Sequence, residues 1–158
     1  MKEAELVHRL RAKSLRICSA ESLTGGLFAK RITDIPGSSS VFDGGIISYT
    51  NEVKKNVLGV SIETINEYTE VSPECAEEMA KGAAKLFGSD IAVSFTGYAG
   101  PSGGNEKNPV GTAYICIYRE GISKIIANIY TGDRNSVREQ CADMAIKEII
   151  LMLDEQNT

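Results

Sequence analysis

Histidine is nearly missing from this chain: its 158 residues hold one, His8. His8 sits among Leu6, Val7 and Leu10, whose spacing predicts a leading helix over 2–13, and it reads there as a partly exposed helix residue. A Ser-His-Asp triad and a histidine-ligated zinc site are set aside with it. Cysteine offers no replacement. Cys18, Cys75, Cys116 and Cys141 are far apart and form no C-x-x-C pair, and three of them have the apolar surroundings of small buried hydrophobes. No metal is therefore expected. An excess of positive charge is also lacking, since 17 Lys and Arg stand against 21 Asp and Glu for a net charge of −4. That balance argues against a general nucleic-acid binder, while leaving room for an anion site confined to one pocket. No apolar run approaches the roughly 20 residues of a membrane span. The opening Met1-Lys2-Glu3-Ala4-Glu5 has no signal-peptide pattern, which predicts a cytoplasmic protein with neither a membrane nor a nucleic acid as partner. Repeats, low-complexity segments and linkers are missing too, so residues 1–158 are expected to form one domain.

What the chain has is a set of glycine-rich turns placed between apolar segments. The most telling is Ala20-Glu21-Ser22-Leu23-Thr24-Gly25-Gly26. It follows an apolar run from Leu15, predicted as a strand, and precedes a helical pattern from about Thr24 to Ile32 or Thr33. In open α/β sheets a strand's carboxyl end meets a helix N-terminus at such a turn, and the free N–H groups there attract negative charge. Gly25 and Gly26 carry no Cβ, so a ligand or a backbone can come close. Ser22 is thus a candidate nucleophile. The plainer alternative is that Ser22 or Thr24 only caps the helix. A nucleophilic Ser22 in a chain with one histidine would take its base from a lysine, a carboxylate or a tyrosinate.

The remaining elements follow from the same signals. Asp34-Ile35-Pro36-Gly37 ends the first of these helices, and Ile46–Tyr49 reads as a strand. Asn51 is placed to cap a helix running to Leu58, Ser61 to open a short one to Tyr68, and Ser72-Pro73-Glu74 to open a longer one that stops at Gly88. Asp90–Thr96 has the composition of a buried strand and empties into Gly97–Asn105, the most glycine-dense loop. Strands over Gly111–Tyr118 and Lys124–Tyr130 flank an Arg119-Glu120-Gly121 hairpin turn, and Ser136-Val137-Arg138-Glu139 reads as a capping box opening a helix to Leu153. This order predicts an α/β fold, a three-layer α/β/α sandwich with a mixed, mostly parallel central sheet. One crevice should then collect the Ser22 turn, Tyr49-Thr50 and the loop after Thr96. That loop matches neither a Walker motif nor G-x-G-x-x-G, yet its backbone suits a phosphate or an oxyanion; a plain surface loop is the alternative. Arg134, a cation beside a helix start, suits an anion as well. Lys54 and Lys55 are predicted in the first turn or so of their helix, where the dipole disfavours a cation and, with burial, lowers a lysine pKa. A solvated lysine pair is the plain alternative.

In chain order, the motifs Ala20-Glu21-Ser22-x-Thr24-Gly25-Gly26, Pro36-Gly37-Ser38-Ser39, Tyr49-x-Asn51-Glu52-x-Lys54, Val71-Ser72, Thr96-Gly97-x-Ala99-Gly100-Pro101-x-Gly103-Gly104, Pro109-Val110-Gly111 and Gly132-Asp133-Arg134 resemble the CinA C-terminal domain family. Its members include nicotinamide-nucleotide amidohydrolases. The likeness spans about Ala4 to Leu153. It implies hydrolysis of nicotinamide mononucleotide to nicotinate mononucleotide and ammonia, a step of pyridine-nucleotide salvage, without cofactor or metal. By position it implies Ser22 as nucleophile, Lys54 as base and Tyr49 in their support. Thr24, Gly25, Ser39, Thr96, Gly97, Gly100, Gly103, Gly104 and Arg134 match substrate-pocket positions, with Arg134 or the Gly100–Gly104 loop holding the phosphate. The resemblance also implies a homo-oligomer, a dimer or higher. The sequence departs from the family pattern at Leu23, where cysteine is frequent, at Tyr98, where isoleucine is usual, and at Gly44, where arginine is common. The N-terminal domain that many relatives carry lies outside the likeness, and none of its activity is carried over. Two other readings share these features: a non-catalytic nucleotide-binding or regulatory module, and a Ser-Lys amidase acting on another small amide.

Overall fold

The computed structural model describes residues 1–155. Its elements run α1 (Lys2–Ala12), β1 (Ile17–Glu21), α2 (Leu27–Thr33), a 3₁₀ turn (Ser38–Ser40), β2 (Phe42–Ile47), α3 (Asn51–Asn56), α4 (Ile62–Tyr68), α5 (Pro73–Phe87), β3 (Ile91–Gly97), β4 (Thr112–Arg119), β5 (Ile122–Ile129) and α6 (Arg134–Glu155). The strands form one sheet in the order β2-β1-β3-β4-β5. β1 is parallel to β2 and to β3, whereas β4 and β5 add an antiparallel hairpin. This is the expected α/β sandwich with a mixed sheet, its parallel part being β2, β1 and β3. No helix among the described residues is long and apolar enough to cross a membrane.

Side-chain alternation along the strands divides the core in two. Ile17, Ile91, Val93, Phe95, Ile115 and Ile117 point to the face covered by α1, α2 and α6, where they meet Leu6, Leu10, Phe28, Ile32, Ile146 and Ile149. Cys18, Ala20, Ala92 and Cys116 point to the other face, against Cys75, Ala76, Met79, Ala80 and Ala83 of α5. Small residues dominate this second contact, so α5 lies close to the sheet. All four cysteines are free and buried, one more than the sequence places among small buried hydrophobes.

Three boundaries differ from the sequence expectation for local reasons. β2 begins at Phe42, because Gly44 and Gly45 pair in register with Cys18 and Ser19 of β1. α3 is capped by Thr50, whose Oγ1 accepts from the Val53 N–H at 3.2 Å, and it ends at Asn56. α6 begins at Arg134: Asp133 Oδ1 accepts from Ser136 N–H at 2.8 Å, so Asp133 fills the capping position assigned to Ser136. Glu139, the other half of the expected box, pairs with Arg31.

Register decides where the chemistry collects. Glu21, the last residue of β1, is opposite Ile47 of β2 and Phe95 of β3. The next residue on each strand is therefore Ser22, Ser48 and Thr96, emerging side by side at one end of the sheet.

Candidate active site

The Ser22 turn is held from below by its predecessor. Glu21 is buried, and its carboxylate accepts from the N–H groups of Phe28 (2.9 Å) and Ala29 (3.0 Å) at the start of α2, with the Ser19 hydroxyl a third donor. An acid at a helix N-terminus is favourable, and here it satisfies the amides that a cap would take. Neither Ser22 nor Thr24 caps α2; its N-cap is Gly26, with φ +102°. The Ser22 hydroxyl is left for other work. Gly25 has φ +59°, which a residue with a Cβ rarely adopts, and a Cβ there would lie 3.0 Å from Arg138 Nη2. That arginine, on the second turn of α6, donates to the Thr24 carbonyl at 2.8 Å and ties the turn to α6.

Lys54 comes from α3 and points back to this turn. Its Nζ lies 3.0 Å from Ser22 Oγ and donates to the Ser48 carbonyl at 2.7 Å. The residue is 2% exposed, Ser22 is 9% exposed, and the neighbouring Lys55 is exposed. Burial holds the Lys54 amine below its ordinary 10.5, against smaller opposing pulls from Cys75 and Glu70. The helix dipole is not the cause: α3 has six residues and Lys54 lies in its last turn. In its neutral form this amine has one lone pair. With one N–H donated to Ser48, that lone pair can accept the proton of the Ser22 hydroxyl 3.0 Å away.

Around the pair lies a cavity of about 210 Å³ lined by residues from five segments, among them Leu23, Tyr49, Glu70, Tyr98, Gly100 and Arg134. Arg134 spans its mouth, donating to the Gly100 carbonyl and to the Tyr49 hydroxyl, each at 2.8 Å. The Tyr49 hydroxyl therefore accepts from Arg134 at this cavity. Thr96 also lines the cavity, but its hydroxyl donates to the Glu70 carbonyl at 2.6 Å and fixes that segment. The adjoining Val71 carbonyl accepts from Asn108 Nδ2 at 3.1 Å, and Asn108 is oriented by the Tyr114 hydroxyl at 2.7 Å.

The expected site residues thus divide. Ser22, Lys54, Tyr49, Thr96, Gly97, Gly100 and Arg134 meet at the cavity. Thr24 and Gly25 shape the turn behind it, and Gly103 and Gly104 fold away from it, against Tyr98 and Val110. Ser39 does not come to the cavity. It lies in the 3₁₀ turn before β2, and because β2 is parallel to β1 that turn is at the opposite end of the sheet from Ser22. There the Ser39 carbonyl accepts from Arg16 Nη2 at 3.1 Å. Glu21, Glu70 and Arg138 join the site without having been singled out. Glu21 was inside the quoted motif, but Glu70 and Arg138 carry no local signal that separates them from solvated helix and loop charges.

Known proteins share both the sequence and this arrangement of strands. A family model of the CinA C-terminal domain matches residues 1–153. A CinA-like protein of Thermotoga neapolitana is 40% identical over 154 residues, 98% of this chain and 38% of that protein. A putative competence-damage inducible protein of Bacillus subtilis is 42% identical over 152 residues, 96% of this chain and 36% of that one. The chain therefore spans little more than a third of the length of these relatives. Among solved structures, a competence-damaged (CinA) superfamily protein of Klebsiella pneumoniae superposes with a TM-score of 0.92 at 32% identity, covering 97% of this chain and 98% of that one. A competence/damage inducible protein of Agrobacterium tumefaciens gives 0.89 at 34% identity, covering 98% and 96%. With the match running from the first residue nearly to the last, through the Ser22 turn, α3 and the start of α6, the chain belongs to the CinA C-terminal domain family.

Proposed function

We propose that this chain hydrolyses the carboxamide of nicotinamide mononucleotide to nicotinate mononucleotide and ammonia through a Ser22–Lys54 dyad. The observation that carries the reading is the 3.0 Å approach of a buried lysine, with its pKa lowered by burial, to a serine whose side chain nothing else among the described residues engages. Neutral Lys54 takes the proton of Ser22 as Oγ bonds to the carboxamide carbon, giving a tetrahedral oxyanion. Ser22 N–H is already donated to the Phe95 carbonyl at 3.0 Å. The N–H groups of Leu23 and Thr24, which donate to no backbone carbonyl among the described residues, are the donors on offer for that oxyanion. The Lys54 proton then passes to the departing nitrogen, ammonia leaves, and an acyl-Ser22 remains. Water attacks this ester with Lys54 again as base, and Ser22 recovers its proton. Arg134, at the cavity mouth and away from the reacting bond, holds the substrate phosphate by exchanging its Gly100 and Tyr49 contacts for the anion.

A second reading keeps the dyad and changes the amide. Leu23 and Tyr98, both departures from the family pattern, line the cavity, where they meet whatever flanks the reacting carbonyl. One experiment separates the two. Ammonia release is followed with nicotinamide mononucleotide, its riboside and free nicotinamide, with chelator present, using wild-type protein, Ser22→Ala and Lys54→Ala. Turnover of the mononucleotide by wild-type protein alone supports the deamidase. A folded wild-type protein that turns over none of the three overturns it.

A further inference from the structure

The cavity holds a charge that the dyad chemistry does not use. Glu70 lines it, half-buried, and its carboxylate makes no hydrogen bond and no ion pair among the described residues. The backbone that carries it is fixed by Thr96 at the Glu70 carbonyl and by Asn108 at the next carbonyl, that of Val71. The backbone at Glu70 is therefore fixed by contacts that leave the carboxylate oxygens unpaired. Tyr98 lines the same cavity, and its ring stacks against Gly103, where a Cβ would lie 3.0 Å from Tyr98 Cδ1. Glu70 is close enough to Lys54, Cys75 and Tyr98 that its charge bears on all three.

A negative charge is an unfavourable neighbour for a base that must be neutral, and for a reaction whose product is a carboxylate. It becomes favourable when the substrate brings a positive charge to meet it. We infer that Glu70, with the Tyr98 ring beside it, is a specificity residue that selects N-substituted, cationic pyridinium carboxamides over neutral amides. The inference rests on the proposed function for the identity of the reacting amide, and it adds the group that reads the ring. The ring nitrogen of a pyridine nucleotide carries a full positive charge, whereas free nicotinamide is neutral. An aromatic face and a carboxylate are together the usual recognition chemistry for a flat organic cation. Bound there, the ring offsets the Glu70 charge at Lys54, so the correct substrate itself removes the influence that opposes a neutral base.

The test is a binding measurement, independent of turnover, on the full chain. The affinities of 1-methylnicotinamide cation and of nicotinamide are compared by titration calorimetry for wild-type protein, Glu70→Gln and Glu70→Asp. Wild-type protein should prefer the cation by about tenfold or more, Glu70→Gln should lose most of that preference, and Glu70→Asp should keep it. An unchanged preference in Glu70→Gln, or no preference in wild-type protein, overturns the inference. If the preference behaves as stated while nicotinamide mononucleotide is not hydrolysed, the cation site stands and the deamidase reading fails. If hydrolysis occurs while Glu70→Gln keeps the preference, the inference alone fails.

Discussion

Two serine turns flank the parallel strands β1 and β2, one following β1 at Ser22 and one preceding β2 at Ser38–Ser40. In composition they are close relatives. Each has glycine at positive φ, Gly25 and Gly26 in one and Gly37 in the other, and each has an arginine donating to a backbone carbonyl. Their surroundings differ completely. Beyond Ser22 the chain brings the ends of β2 and β3, a buried lysine and an open cavity. Around Ser39 it brings Arg16, which donates to the Ser39 and Ser40 carbonyls and pairs with Asp43, and Arg11, which donates to Ser40 Oγ. That corner is exposed at Ser39 and Ser40, and its arginines are taken up by backbone carbonyls, Ser40 Oγ and Asp43. Strand polarity makes the difference, because only the carboxyl ends of parallel strands converge with their loops on one crevice.

Substitutions at the two turns should differ most in their effect. Ser22→Ala should lower turnover of the proposed reaction by roughly a thousandfold or more, whereas Ser39→Ala should leave it unchanged in steady-state assays. Equal losses at both positions would mean that Ser39 reaches a site in some other way.

Lys54→Met comes next, with an expected loss of roughly a hundredfold to ten-thousandfold in kcat. It also carries a stability signature. Burial holds the native amine below 10.5, so between that lowered value and 10.5 the unfolded chain binds a proton that the native chain lacks. Wild-type stability relative to Lys54→Met should therefore rise with pH across that window and be flat below it, as thermal melts at stepped pH will show. For the same reason kcat/KM should rise with pH as Lys54 gives up its proton.

Arg138→Ala acts on the positioning of the Ser22 turn. Its contact with the Thr24 carbonyl orients the Ser22 turn without touching the cavity, so kcat should fall by roughly ten- to a hundredfold with little change in KM, and Arg138→Lys should recover part of it. The smallest effect belongs to the other corner. Arg16→Ala should cost about 1 kcal/mol in denaturant unfolding, the worth of a few partly exposed hydrogen bonds, and leave kcat alone.

Much of this arrangement is legible in the chain, and what escapes it has a common origin. The strand–turn–helix around Ser22 is readable because an apolar run, two glycines and a helical period adjoin one another. The base is harder. Lys54 and Lys55 are indistinguishable by type and neighbours, and only tertiary packing buries one and exposes the other. Capping failed as a local rule twice. Glu21 reaches seven residues ahead from inside a strand to the amides of α2, and Asp133 displaces Ser136 because the helix starts three residues earlier than its apolar period shows. Ser39 belongs to a motif adjacent in sequence, but motif order carries no information about which end of a strand a turn occupies. Glu70 and Arg138 act through long-range neighbours, Thr96 and Asn108 for one and Thr24 for the other, which no window of sequence contains.

Acylation of Ser22 can be read out by trapping. Wild-type protein is given nicotinamide mononucleotide with rising hydroxylamine, and the products are separated by chromatography. An acyl-Ser22 intermediate predicts that the corresponding hydroxamate appears alongside nicotinate mononucleotide, and that Ser22→Ala forms neither. Hydrolysis without any hydroxamate, retained in Ser22→Ala, would contradict it.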